Sequence, residues 1–316
     1  MLCASMFARY PALAGFVFAV LSAAAFGSSG ALAKGLLLAG WSPAAVVTGR
    51  VGIGALFLII PALRSLQGRF GLVKQGWLPM VLFGLIAIAG CQLAYFLAVE
   101  RLSVGVALLL EYLAVLLVVL WVWLAQGQRP NRLTIIGTIV AVVGLVLVLN
   151  VFSGVAIDGL GVLFGLLAAV GLATFFVLSA ADGHGVPPLV FAAGGLLVGT
   201  VALVVSGALG IVPIAWSTDP VLFAGALVPW WVAMIGLGTL AAAFAYVAGI
   251  IAARALGSKL ASFVGLSEVL FAVVWAYVLL GEMPLPVQLA GGVLILTGVV
   301  LVKVDEEDEE RAAPAV

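Results

Sequence analysis

Long apolar runs separated by short polar connections make up most of this chain. Each run has close to the roughly 20 residues that an α-helix needs to cross about 30 Å of hydrocarbon. We mark ten of them, at approximately 12–33, 43–63, 77–99, 103–124, 133–151, 159–180, 187–209, 228–251, 257–280 and 286–303. We expect helices throughout, because a helix satisfies its own backbone hydrogen bonds in lipid.

The composition agrees with this pattern. Of the 316 residues, 66% are hydrophobic and only 8% are charged, which predicts an all-α, multi-pass membrane protein that contacts the lipid bilayer. The formal net charge is zero, so nothing suggests a nucleic-acid partner. The first run could instead be a signal peptide, since Arg9 precedes it and Ala31-Leu32-Ala33 resembles a cleavage site. Cleavage would leave nine spans, so we interpret the run as a retained helix.

One order of residues occurs twice: a tyrosine, a glutamate within an apolar run, a glycine turn, a proline and a glycine-rich last helix. The first copy contains Ala94-Tyr95, Glu111, Gly127-Gln128, Pro130 and Gly137. The second contains Ala245-Tyr246, Glu268, Gly281-Glu282, Pro284 and Gly291. From turn to last helix the copies are 154 positions apart, whereas the glutamates are 157 apart. We therefore predict two five-helix repeats, 1–152 and 153–304, followed by an acidic cytoplasmic tail at 305–316.

Basic residues predict the orientation, because cytoplasmic loops of membrane proteins are enriched in Lys and Arg. With the N-terminus inside, ten of the 13 basic residues lie on the cytoplasmic side: Arg9, Arg64, Arg69, Lys74, Arg129, Arg132, Arg254, Lys259, Lys303 and Arg311. Both termini are then cytoplasmic. Since five spans per repeat is an odd number, the second repeat enters the membrane from the opposite side, and the repeats are inverted.

Two glutamates at membrane depth are the first candidates for function. Glu111 and Glu268 lie within long apolar runs, where an ionised carboxylate costs on the order of 2.5 to 3.5 kcal/mol on insertion scales. We expect both to face the interior of the helix bundle. There they either exchange protons or contact substrate, or they are structural carboxyl groups that bond the backbone near a helix break.

Two cations flank the predicted outer connection between the first two spans. Aligning the halves on Pro43 and Pro188 gives Lys34 and Arg50 the counterparts Ser179 and Gly195, so the charge is confined to the first half. Each cation is either an anion contact or partner of a glutamate in the interior, or extends to the membrane interface. We favour the interface for Lys34 and the interior for Arg50.

A predicted binding cavity takes its lining from aromatic and amide side chains. Gln92 and Tyr95 are three residues apart and share a helix face, as do Glu268 and Trp275 at a spacing of seven. Tyr246 is the repeat partner of Tyr95. We predict Gln92, Tyr95, Tyr246 and Trp275 as substrate-binding residues, although buried tyrosines also commonly bond a neighbouring carbonyl.

Patterns of catalysis and cofactor binding are lacking in the sequence. The single histidine, His184, has no metal-ligand set around it, and Cys3 and Cys91 imply neither a disulfide framework nor a metal cluster. No phosphate-binding glycine loop ends in Gly-Lys-Ser or Gly-Lys-Thr. We expect neither an enzyme nor a bound metal or cofactor.

Together these residues resemble the drug/metabolite transporter superfamily, and most closely its EamA-type ten-helix exporters. The motifs that carry the resemblance are AFGSSGALAK ending at Lys34, Arg50, Gly238-Thr239, Ala245-Tyr246, Ala255-Leu256-Gly257-Ser258, Glu268 and Gly281-Glu282. Two features depart from the family. Tyr112 and Val269 follow the glutamates where the family commonly has proline, and Gln128 replaces the first-half turn glutamate. The resemblance therefore does not by itself predict a helix break at Glu111 or Glu268.

The resemblance implies two inverted repeats around a central cavity, built mainly from helices 3, 4, 8 and 9 with help from 1 and 6. It also implies a secondary transporter of the cytoplasmic membrane that exports small metabolites, with amino acids as our first expectation, by alternating access. We add the hypothesis that Glu111 or Glu268 couples export to protons. A multidrug or lipophilic-cation exporter is the alternative within transport, and a lipid-flipping or membrane-embedded enzyme scaffold is the alternative from another class.

Overall fold

The computed structural model describes residues 11–99, 101–102, 104–148, 158–181, 185–223, 225–281, 283 and 285–312. Most of these residues are helical. The first-half helices are α1 (Pro11–Leu38), α2 (Pro43–Leu66), α3 (Gly71–Gln75), α4 (Trp77–Leu82), α5 (Cys91–Val99), α6 (Val104–Tyr112), α7 (Ala114–Gln126) and α8 (Arg132–Val148). The second-half helices are α9 (Gly159–Ala180), α10 (Pro188–Ala208), α11 (Trp230–Gly238), α12 (Ala245–Gly265), α13 (Ser267–Leu280) and α14 (Pro286–Ala312).

Eight helical stretches in the described part of the chain are long and apolar enough to cross a membrane. They are Ala12–Leu38, Pro43–Leu66, Trp77–Ala98, Ala107–Gln126, Gly159–Ala180, Pro188–Ala208, Trp230–Gly265 and Pro286–Asp305. Two further apolar helices, Arg132–Val148 and Ser267–Leu280, are shorter. The protein is therefore a helical, multi-pass membrane protein, and the count of ten full-length spans stays a prediction.

The predicted ninth run, 257–280, is divided between two helices in the structure. Its first part is continuous with the stretch Trp230–Gly265, whose 36 residues would extend roughly 54 Å as a straight helix. The chain instead turns at Gly257, where φ is 76° and ψ is 166°. A positive φ of this size strains any residue with a Cβ, so a glycine is required at this turn. Only 14 residues then remain for α13.

Several predicted features lie outside the described residues. The boundary between the predicted repeats, at 152 and 153, is one of them, and so are Cys3, His184, Glu282 and Pro284. The predicted acidic tail is partly described, because α14 continues to Ala312. Asp305 is buried and accepts a hydrogen bond from the Thr134 hydroxyl, so the first tail residue is part of the packed helix bundle.

The two halves share one series of backbone features. In the first half, α4 passes into a π-helical segment, Phe83–Gly90, and then into α5. In the second half, α11 passes into a π-helical segment, Thr239–Phe244, and then into α12. A break follows each series, at Leu113 between α6 and α7 and at Leu266 between α12 and α13.

Helices α8 and α14 contact each other reciprocally. A Cβ added to Gly137 would lie 2.9 Å from the Gly298 carbonyl oxygen, and one added to Gly298 would lie 2.6 Å from the Gly137 oxygen. Gly144 and Gly291 face each other in the same way, at 2.6 Å in both directions. Because the lower number on one helix meets the higher number on the other, the helices are antiparallel. An approximate twofold axis perpendicular to both helices relates the contacts.

A short hairpin, which the sequence pattern did not predict, follows α10. Strand β1 (Val221–Phe223) pairs antiparallel with β2 (Ala226–Val228). Side chains of Val221 and Phe223 pack on Gly35, near the C-terminal end of α1. Ser42, the N-cap of α2, donates to the Pro213 carbonyl at 2.9 Å and so ties the segment before the hairpin to the same end of the bundle.

Candidate functional site

A cavity of about 520 Å³ lies among α1, α2, α5, α6, α9, α12 and α13, and so takes its lining from both halves of the chain. Its volume is typical of small-molecule sites. Alanine, glycine, leucine and aromatic side chains form most of the wall. The polar groups are few, and they include two predicted cations and both predicted carboxyl groups, Lys34, Arg50, Glu111 and Glu268.

The cavity is open at one end and closed at the other. Gly30 and Lys34, in the C-terminal part of α1, are exposed and mark the open end. In the closed wall, the rings of Phe175 and Tyr246 line the cavity and pack on Phe83, at centroid distances of 5.7 and 6.2 Å. Phe83 in turn packs on Phe191 at 4.8 Å.

Arg254 lies behind this aromatic wall. Its guanidinium carbon is 5.8 Å from the centroid of the Phe191 ring, within the usual range of a cation–π contact. Its Nη1 also donates to the Val186 carbonyl at 2.7 Å. The aromatic wall and this bond together join α12 to the start of α10 and close that end of the cavity.

Arg50 is buried within the cavity wall, with 5% of its surface exposed. Its Nη1 donates to Gln92 Oε1 at 3.2 Å, and its Nη2 donates to the Ala241 carbonyl at 2.7 Å. The guanidinium carbon also lies 5.8 Å from the centroid of the Phe26 ring. The Ser42 cap starts α2 so that Arg50 falls on its buried face, in line with Val46, Val47 and Val51. This is the interior placement that we favoured from the sequence.

The two glutamates line the cavity beside the helix breaks. Glu111 is 9% exposed and accepts a weak hydrogen bond from the Cys91 thiol at 3.4 Å. Tyr112 is the polar neighbour of the Glu268 carboxyl group. Breaks occur at both places although neither glutamate is followed by proline. Each carboxyl group therefore has a polar neighbour from another residue within the bundle.

Glu111 and Glu268 are not at equivalent points of the two repeats, which corrects the pairing expected from the sequence. Glu111 lies two residues before the break at Leu113, whereas Glu268 lies two residues after the break at Leu266. The duplicated feature is therefore the break, and its two copies are 153 positions apart.

The family model decides the assignment. The model of the EamA-like transporter family matches residues 13–150 and again residues 159–304, one match in each half. The chain belongs to the EamA-like transporter family. Members of this family are membrane transporters of small solutes.

Known structures support the fold of this EamA-like chain. One solved structure, described as "Crystal structure of protein", aligns with a TM-score of 0.76 at 20% identity, over 94% of this chain and 98% of that one. It is among 28 solved chains that match. At this identity the likeness shows the fold alone. No curated protein matches the chain.

Three of the four predicted substrate-binding residues line the cavity of this EamA-like chain. They are Gln92, which holds Arg50, Tyr95, whose ring packs on Phe96 at 5.3 Å, and Tyr246 in the closed wall. Trp275 is not among the lining residues. Its indole Nε1 donates to the Ala24 carbonyl of α1 at 2.9 Å, because an indole N–H in an apolar bundle needs an acceptor. The shared helix face with Glu268 did not predict this contact.

Sequence reasoning missed other lining residues. Cys91, to which the sequence assigned no role in the cavity, contacts Glu111, and Tyr112 neighbours Glu268. A signal existed for Cys91, which is four residues before Tyr95 on the same helix face, whereas Tyr112 is consecutive with Glu111 and does not share its face. Phe26, Phe175 and Phe176 gave no comparable signal, because a phenylalanine in an apolar run looks the same whether it faces lipid or a cavity.

Proposed function

We propose that this protein is a secondary transporter of the cytoplasmic membrane that exports amino acids or related small metabolites by alternating access. One observation carries the proposal: a single cavity holds a buried guanidinium, that of Arg50, together with the carboxyl groups of Glu111 and Glu268. In a zwitterionic amino acid, the carboxylate would pair with the guanidinium and the ammonium group would pair with the carboxyl groups. Its side chain would contact the largely apolar remainder of the wall. Export is proposed by analogy with the family.

The reciprocal contacts between α8 and α14 support an inverted-repeat arrangement. For two membrane-crossing helices that run antiparallel, a twofold axis perpendicular to both lies in the plane of the membrane. In this arrangement the repeats rock against each other around a central site. The open end beside Lys34 and the closed end behind Tyr246 would then exchange roles during the cycle.

We also propose that Glu111 or Glu268 exchanges a proton during transport. The support is their position: both carboxyl groups line the cavity within membrane-spanning segments, where ionisable residues commonly mark proton or ion pathways. In that cycle an ionised carboxyl group would bind the ammonium group of the solute. Protonation of the carboxyl group would release it.

A second candidate is an exporter of lipophilic cations. The aromatic wall of Phe26, Phe175 and Tyr246 beside two carboxyl groups favours it, because such walls attract flat cations. The guanidinium of Arg50 in the same cavity opposes it, because like charges repel at short range in an apolar medium.

Counterflow in proteoliposomes tests the proposal. Vesicles containing the purified protein are loaded with a mixture of unlabelled amino acids, and the uptake of each labelled amino acid is compared with that of empty liposomes. A parallel set uses labelled tetraphenylphosphonium. Saturable uptake of an amino acid supports the proposal, whereas saturable uptake of tetraphenylphosphonium alone, above that of empty liposomes, assigns the second candidate.

A further inference from the structure

We propose that Arg50 is the anion-binding subsite of the cavity and that it takes the carboxylate of the transported solute. This inference rests on the proposed function and narrows it, because it makes a carboxylate a requirement for binding. It distinguishes the solutes of this transporter from amines and other cations of the same size.

The hydrogen-bond inventory of the guanidinium supports the subsite. An arginine side chain has five N–H donors in a planar fork that matches a carboxylate. Contacts to Gln92 and to the Ala241 carbonyl use one donor on each terminal nitrogen, and Nε has no partner. The second N–H of each terminal nitrogen therefore remains for a solute, on a side chain that is 95% buried and forms part of the cavity wall.

The charge of Arg50 also lacks a direct counter-ion among the described residues. The two carboxyl groups of the cavity interact with Arg50 through space only: Glu111 accepts from the Cys91 thiol, and Tyr112 is the polar neighbour of Glu268. Cations within membrane-spanning segments usually pair with an anion or line a water-filled cavity. A solute carboxylate would supply a directly bonded anion, and its charge-assisted hydrogen bonds would be stronger than neutral ones.

The subsite is present on only one side of the pseudo-symmetric bundle. Gly238 faces the carbonyl oxygen of Arg50 as Gly84 faces that of Gly195, so the packing agrees with the alignment that makes Gly195 the counterpart of Arg50. At Gly195 an added Cβ would lie 2.5 Å from the Phe83 ring, which leaves no room for a side chain. Of these two symmetry-related positions, Arg50 alone therefore offers a guanidinium to a solute carboxylate.

Three ligands with the same phenyl ring test the proposal. L-Phenylalanine carries a carboxylate and an ammonium group, 3-phenylpropionate carries only the carboxylate, and phenethylamine carries only the ammonium group. Their affinities are measured by isothermal titration calorimetry on the full-length detergent-solubilised protein. The variants are Arg50→Gln, Arg50→Lys and the control Arg64→Gln, which changes an exposed arginine of the same helix.

We expect Arg50→Gln to lower the affinity for L-phenylalanine and for 3-phenylpropionate by roughly tenfold or more. The affinity for phenethylamine should stay unchanged or rise. Arg50→Lys, which keeps the charge without the fork, should retain part of the preference for the two carboxylates over phenethylamine. Arg64→Gln should match the wild type. If Arg50→Gln does not fold, the ratio of affinities in Arg50→Lys carries the test, and a ratio equal to that of the wild type overturns the proposal.

Other results also overturn the subsite. An equal loss of affinity for all three ligands in Arg50→Gln would assign Arg50 a structural role. If the wild type bound none of the three ligands, the subsite would be excluded. The outcome is separable from that of the proposed function. Arg50-dependent binding of 3-phenylpropionate without amino-acid counterflow would support the subsite and reject amino-acid transport. Amino-acid counterflow that is unchanged by Arg50→Gln would support amino-acid transport and reject the subsite.

Discussion

Gly144 on α8 and Gly291 on α14 face each other so closely that a Cβ on either would lie 2.6 Å from the carbonyl oxygen of the other. The sequence repeat makes Gly291 the counterpart of Gly137, which meets Gly298 in turn. The two residues of one contact are the repeat counterparts of the two residues of the other contact. Such reciprocal contacts are typical of a symmetric interface. The duplication in the sequence is thus expressed directly in the packing of the last helix of each half.

A methyl group at this interface should destabilise the protein. Gly291→Ala would place its Cβ against backbone that cannot move without separating α8 from α14, and overpacking of this kind typically costs about 1 to 3 kcal/mol. The control is Gly292→Ala, whose Cβ would meet only the flexible end of Leu270, at 3.0 Å. Thermal unfolding of the purified protein in detergent should show a lower melting temperature for Gly291→Ala alone. Equal melting temperatures would contradict the close packing.

The sequence predicted the helical class, the duplication and most of the polar cavity lining, because each rests on a local physical rule. A charged side chain in an apolar run must face the interior, which is where Arg50, Glu111 and Glu268 lie. The rest depended on tertiary packing. Trp275 shares a helix face with Glu268, yet α1 packs close enough to accept its indole N–H, and spacing along one helix says nothing about such a neighbour.

Trp275 should matter for stability and not for binding. Trp275→Phe removes the hydrogen bond to the Ala24 carbonyl and keeps an aromatic ring, so we expect a loss of about 0.5 to 1.5 kcal/mol in the free energy of unfolding. The concentration of substrate at half-maximal counterflow should stay at the wild-type value. Trp216→Phe, at an exposed indole, is the control. A large rise in the half-maximal concentration for Trp275→Phe would show that Trp275 takes part in substrate binding.

The carboxyl groups of Glu111 and Glu268 should make transport respond to pH. Replacing both with Gln keeps the shape of each side chain, exchanges one acceptor oxygen for an NH2 donor and removes the titratable charge. We expect counterflow in the double variant to lose its dependence on pH, and a pH gradient to drive no net uptake. Transport and pH dependence like those of the wild type would reject the proton-coupling hypothesis.

Labelling of introduced cysteines checks the predicted orientation. Gln75→Cys lies at the exposed end of α3, on the predicted cytoplasmic side, and Asp219→Cys lies in the exposed segment before the hairpin, on the predicted outer side. Both are made with Cys3→Ser, and Cys91 is buried. A membrane-impermeant maleimide applied to right-side-out vesicles should label only Asp219→Cys. Labelling of Gln75→Cys alone would show that the protein has the opposite orientation in the membrane.

The most direct test of the central claim is to fill the cavity and measure transport. Gly30 lines the cavity, and an added Cβ there would meet no described atom within 4 Å, so Gly30→Trp should obstruct the open end without disturbing the helices around it. The control is Gly71→Trp, at an equally open position outside the cavity. In amino-acid counterflow from proteoliposomes with equal amounts of folded protein, we predict that Gly30→Trp loses saturable uptake and Gly71→Trp retains it. Undiminished uptake by Gly30→Trp would show that solutes do not pass through this cavity.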